Sequence, residues 1–179
     1  MPEDLNAYMA FWETLVTQSN CRTGFSLREV RKRDFISYQL VGFQFSYQLD
    51  WLKPNATMAR TIVRSDADEI FEHLLRRRDT LEADFGEALR WVQAFAVPGN
   101  AHPSPALVTR VAYPGLRDLP RADWPAVQAQ MIDAMVRLEQ AVAPHVAAWL
   151  PEWVAQCAKA IGRLPIFALA NSVSGGAPA

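Results

Sequence analysis

The sequence predicts an α+β domain: an antiparallel sheet of about five strands with amphipathic helices packed mainly on one face. Three observations predict it. Phe43, Phe45, Tyr47, Leu49 and Trp51 alternate with Gln44, Ser46, Gln48 and Asp50, the period-two pattern of a half-buried strand. From Met58 to Gln93 the chain reads as strand, capped helix and second strand. Consecutive strands follow one another around turns, and long apolar stripes at helical spacing come after them.

Leu5, Tyr8, Met9, Trp12, Leu15 and Val16 recur at gaps of three and four, which predicts a first helix. The pattern dissolves from Asn20 to Asp34 into a polar connector, where Arg22, Arg28, Arg31, Lys32 and Arg33 stand against Glu29 and Asp34. Ile36 to Val41 reads as a strand, with Gly42 as a bulge or bend before the alternating strand. Lys53-Pro54-Asn55 is a turn, and Met58 to Arg64 returns antiparallel.

The next helix takes Ser65 as its N-cap and Asp68 at N3, where a carboxylate satisfies free N–H groups and favours the helix dipole. Ile70, Phe71, Leu74, Leu75, Leu81 and Phe85 form its buried stripe, and Gly86 supplies a left-handed stop. Leu89–Ala96 and Leu107–Tyr113 read as strands around the loop PGNAHPSP. Asp123-Trp124-Pro125 opens a late helix with stripe Val127, Met131, Met135, Leu138 and Val142, ending near Pro144. Ala147 to Leu164 reads as a further helix bent at Pro151. The expected organisation is one domain over residues 1–170 and a disordered tail over 171–179.

With 179 residues, half of them apolar and 21% charged, the composition is that of a globular chain able to bury one core. A formal charge of −1 provides no global attraction to nucleic acid or anionic membrane, so any such contact needs a local basic patch. The apolar run from Val146 to Ala170 is interrupted by Pro151, Glu152, Lys159, Arg163 and Pro165, which argues against a membrane span. Cys21 and Cys157 lie far apart without metal or redox spacing, and the N-terminus lacks a basic signal-peptide region. A cytoplasmic protein is expected.

No recognised catalytic signature stands out. His73, His102 and His145 form no zinc spacing with the cysteines, and no metal or cofactor is expected. Glu69, Glu72 and His73 could serve a small metal-dependent enzyme, since Glu69 and His73 share a helix face; the alternative is a solvated acidic helix start. None of the three lysines follows an acidic residue at nuclease spacing, and the glycines form no phosphate loop. Phe43, Phe45, Tyr47 and Trp51 read as core, with a base-stacking platform as the other reading.

Arginine supplies 15 of the 18 basic residues. Arg60 and Arg64 fall on one side of their strand, and Arg76, Arg77 and Arg78 follow on the helix. Together with Arg28, Arg31, Lys32 and Arg33 they make a candidate phosphate-binding surface; ordinary ion pairs with the interleaved acids are the other reading. Trp149, Trp153, Ile161 and Phe167 either complete the core or form a surface for self-association or a protein partner.

Phe11-Trp12, the Phe71–Leu74 core, the acidic residue and glycine of Glu82–Gly86, Leu89-x-Trp91 and Trp124 occur in an order that resembles the prokaryotic domain of unknown function 4268 family, over roughly Leu5 to Val146. The Pro-rich loop from Pro98 to Pro105 and the longer C-terminal helix depart from that pattern. Members resemble appendages to nuclease-like or defence-associated modules, and some stand alone. The resemblance implies association with nucleic-acid processing and supplies no catalytic residue. The expectation is therefore a non-catalytic accessory or recognition module, with a homodimer or protein-partner module as the alternative.

Overall fold

Phe43, Phe45 and Tyr47 turn to the same side of their strand and are sealed from solvent, so the alternating pattern marks the floor of the core. The computed structural model describes residues 2–23, 34–40, 42–96 and 102–149. Arg28, Arg31, Lys32 and Arg33 of the connector, and Trp153, Ile161, Phe167 and the tail, lie outside the described residues.

The chain runs α1 (Pro2–Arg22), β1 (Phe35–Leu40), β2 (Phe43–Gln48), β3 (Ala56–Ile62), α2 (Ala67–Leu75), α3 (Arg78–Phe85), β4 (Arg90–Phe95), β5 (Ser104–Val111), a 3₁₀ turn (Arg121–Asp123) and α4 (Trp124–Trp149). The strands form one antiparallel sheet in the order β1-β2-β3-β5-β4. Phe43, Phe45 and Tyr47 stand opposite Ile62, Arg60 and Met58, and Arg60 in turn stands opposite Leu107. The apolar residues among these and the apolar stripes of the four α-helices belong to one core cluster. The other sheet face carries a smaller cluster of Ala59, Ala106 and Val108. The α+β architecture with helices on one face matches the sequence reading.

Polar contacts tie the helices to their places. Ser19 of α1 hydrogen-bonds the Tyr47 hydroxyl at 3.0 Å, and Gln128 Nε2 of α4 donates to the Phe11 carbonyl at 2.8 Å. After β2, Tyr113 Oη donates to the Asp50 carbonyl at 2.5 Å and accepts from the Asp50 N–H at 2.8 Å. Burial pushes the Tyr113 hydroxyl up to about 12. No helix among the described residues is long and apolar enough to cross a membrane.

Several expectations about elements are corrected. The helix expected from Ser65 to Gly86 is two, α2 and α3, separated at Arg76-Arg77, where Arg77 N–H bonds back three residues to the Leu74 carbonyl. The arginine run Arg76-Arg77-Arg78 offers no apolar side chain to hold that turn on the core. Asp66, not Ser65, occupies the N-cap of α2, and its carboxylate binds Arg64 rather than a helix N–H. Gly86 does end α3 with φ 91°. The late helix does not stop at Pro144 but continues to Trp149. Pro144 and Gln140, whose carbonyl loses its partner, are both exposed, so water can satisfy the carbonyl while Val146 remains buried.

Candidate nucleic-acid interface

Strand alternation decides the fate of the first two candidate arginines. Arg60 shares parity with Met58 and Ile62, which places its side chain under the helices, fully buried. Its guanidinium lies over the rings of Phe43 (4.7 Å) and Phe45 (5.0 Å), and Nη1 is 2.9 Å from Glu139 Oε2 of α4. About a fifth of the Glu139 side chain meets solvent, but Oε2 itself is enclosed. Burial holds the Glu139 carboxyl above its ordinary range, against the opposing pull of Arg60. A phosphate-contacting role for Arg60 is thus corrected: desolvation places it in the core, and a phosphate cannot reach it. Phe43, Phe45 and Tyr47 are likewise core and no open stacking platform.

Arg64, just beyond β3, is engaged as well. It grips Asp66 through two parallel bonds, Nε to Oδ1 at 2.7 Å and Nη2 to Oδ2 at 3.1 Å. Its stem lies against Gly42, which adopts φ 79° at the β1–β2 turn and accepts from Val63 N–H at 2.7 Å. Arg64 therefore fastens a hairpin turn to the end of the next strand.

Arg76 and Arg77 are different. Both are exposed at the break between α2 and α3, and neither has a carboxylate partner among the described residues. Arg77 Nη1 lies 3.2 Å from His73 Nδ1 and donates to the His73 carbonyl at 3.2 Å. Because guanidinium only donates, this contact selects the His73 tautomer with its proton on Nε2. The His73 ring lies 4.5 Å from the Trp149 ring at an interplanar angle of 52°, bringing the end of α4 against α2. Partial burial, then Arg77, Arg76 and His145, depress the His73 pKa below its ordinary value. Two arginines and a second histidine thus act on His73, whose ring packs on Trp149, itself 36% exposed. The sequence places Arg76 and Arg77 in one group and Trp149 in another; the structure brings them together.

A second constellation links α3 to β4. Glu82 Oε1 accepts from Trp91 Nε1 (2.9 Å), Leu89 N–H (3.2 Å) and Arg78 Nε (2.9 Å). Desolvation works against ionisation, but these bonds outweigh it and hold the Glu82 pKa below the ordinary range. Gly86 makes the reversal that lets one carboxylate reach forward to the next strand.

A family model described as Domain of unknown function (DUF4268) matches residues 7–146. The chain belongs to this family. No curated protein and no solved structure matches it. The residues on which the sequence resemblance rests have structural places here: Phe71 packs on Trp91 at 5.8 Å, Phe11 on Trp124 at 5.4 Å, and Glu82 joins α3 to β4. In this DUF4268 chain, family resemblance therefore marks core and clasp residues, while Arg76, Arg77 and Trp149 lie at a surface, Trp149 beyond the matched segment.

Glu69 and Glu72 are exposed on α2, while His73 turns toward Arg77 and Trp149. No group of three potential metal ligands forms among the described residues. The sequence presents His145 only as a histidine without ligand spacing and does not single out Glu139. Glu139 lies four residues after Met135 and eight after Met131, on the apolar stripe, which was the available signal. His145 follows Ala141 at the same spacing, but its proximity to α2 had no local signal.

Proposed function

We propose that this chain is a non-catalytic binding module that contacts nucleic acid through Arg76, Arg77, His73, His145 and Trp149, as an accessory or recognition domain in nucleic-acid processing. The observation that supports it is a His73 ring packed on the partly exposed Trp149 indole, with His145 and two exposed guanidinium groups, neither with a carboxylate partner among the described residues, acting on that His73. Guanidinium groups neutralise phosphates, and an indole offers a face to an unpaired base. The overall charge of −1 makes this a local attraction rather than a field of the whole chain.

Fluorescence anisotropy of labelled single- and double-stranded DNA and RNA, titrated at several salt concentrations, tests the reading. Arg76→Ala/Arg77→Ala is expected to weaken binding and lower the log-affinity against log-salt slope by about 1.4–1.8. Absence of binding at low salt, or an unchanged slope in the double variant, would exclude this surface.

The exposure of Trp149 at the end of α4 favours one second reading, self-association or a protein partner through that side chain together with Trp153, Ile161 and Phe167. Light scattering separates the two: a dimer that Trp149→Ala converts to monomer, without any nucleic-acid affinity, supports the second.

A further inference from the structure

A cleft of about 640 Å³ opens elsewhere on the molecule, where α1 ends, β5 ends and the first half of α4 passes. Its origin lies in the sheet. β4 begins at Arg90, opposite Val108, so Arg110 and Val111 have β3 on one side and no strand on the other. Arg22, Arg110 and Arg137 line this opening from three different elements, together with Asp133 and Gln130. Val111 and Val136 add apolar wall.

The arginines are in different states. Arg22 pairs with Asp133, but about half of each side chain is exposed, so the pair is readily exchanged for another anion. Arg137 is held by Glu87 at 2.9 Å and the Phe85 carbonyl at 3.0 Å, and lies 4.6 Å over the Phe85 ring. Arg110 is exposed and has no carboxylate partner among the described residues.

We propose that this cleft binds a small organic phosphate. Arginines of three elements line the cleft, and a tetrahedral phosphate accepts from several directions, whereas a planar carboxylate is satisfied by one bidentate arginine. The volume suits a ligand with a nucleoside-sized body, and the valines give that body an apolar surface. Arg110 is the anchoring charge. Arg22 and Arg137 flank it, and Gln130 supplies an amide. The site is independent of the surface around Trp149, since Arg137 and Trp149 are separated by about 18 Å along α4.

Calorimetric titration with adenosine monophosphate and, separately, acetate tests the proposal. Adenosine monophosphate is expected to bind, with Arg110→Ala weakening it about tenfold or more and acetate giving no comparable heat. Arg76→Ala/Arg77→Ala should leave this binding unchanged, and Arg110→Ala should leave oligonucleotide affinity unchanged, so that failure of one site is distinct from failure of the other. No binding of adenosine monophosphate, equal binding of acetate, indifference to Arg110→Ala, or loss in the Arg76/Arg77 variant would each overturn the proposal.

Discussion

Arg60 of β3 and Glu139 of α4 meet at 2.9 Å inside the core, with the guanidinium lying over the rings of Phe43 and Phe45. The pair joins the sheet to the longest helix among the described residues. Removing one partner leaves an uncompensated buried charge, whereas removing both leaves an apolar contact. Urea unfolding should therefore show Arg60→Met and Glu139→Leu each losing about 3–5 kcal/mol, with the double variant recovering most of that loss. Additive losses would show that the two residues act separately.

Glu82 makes acid sensitivity predictable. Its pKa is depressed in the fold, so its stabilising contribution is present above the ordinary value of 4.5 and is lost as pH falls below that value. Glu82→Gln should flatten stability over that acid window. Glu82→Ala strands the Leu89 N–H and the Trp91 Nε1–H, and is expected to cost about 2–3 kcal/mol near neutral pH. Thermal unfolding from pH 3 to 7 measures both effects; parallel curves for wild type and Glu82→Gln would refute the first.

Gly42 and Gly86 both have positive φ, but a side chain meets different neighbours at each. A Cβ on Gly86 comes no closer than 3.7 Å to Arg137, so Gly86→Ala should cost only the backbone strain, about 1–2 kcal/mol. A Cβ on Gly42 would fall 2.1 Å from Arg64 Cγ. Gly42→Ala should be the more damaging, and adding Arg64→Ala should recover part of the difference. Chemical denaturation midpoints rank the three variants.

His73 predicts how pH acts on binding. Its pKa lies below 6.5 because of burial, then Arg77, Arg76 and His145; Asp68, Glu69 and Glu72 are the acids on its own helix. In the free protein, protonating it opposes folding, so stability falls as pH drops below 6.5. A bound phosphate reverses the preference by favouring the protonated ring. Oligonucleotide affinity should therefore rise as pH is lowered from 7.5 to 5.5 at constant salt, and His73→Gln should reduce that rise. A pH-independent affinity in the wild type would remove His73 from the interface.

The fold was legible because its signals are local. Period-two alternation from Phe43 fixes which face of β2 is apolar, helical spacing from Val127 to Val142 fixes the buried stripe of α4, and Gly86 ends α3 where a left-handed residue is required. Even the inward course of Arg60 is written in its parity with Met58 and Ile62, though charge alone suggests a surface. Only tertiary structure decides which charges meet. Glu139 is far from Arg60 in sequence, Trp149 far from His73, and Asp133 far from Arg22, and each pairing depends on how α4 crosses the sheet and the other helices. Backbone periodicity is a nearest-neighbour property that a sequence displays directly. Electrostatic partnership depends on distance and desolvation, which exist only once the helices are packed.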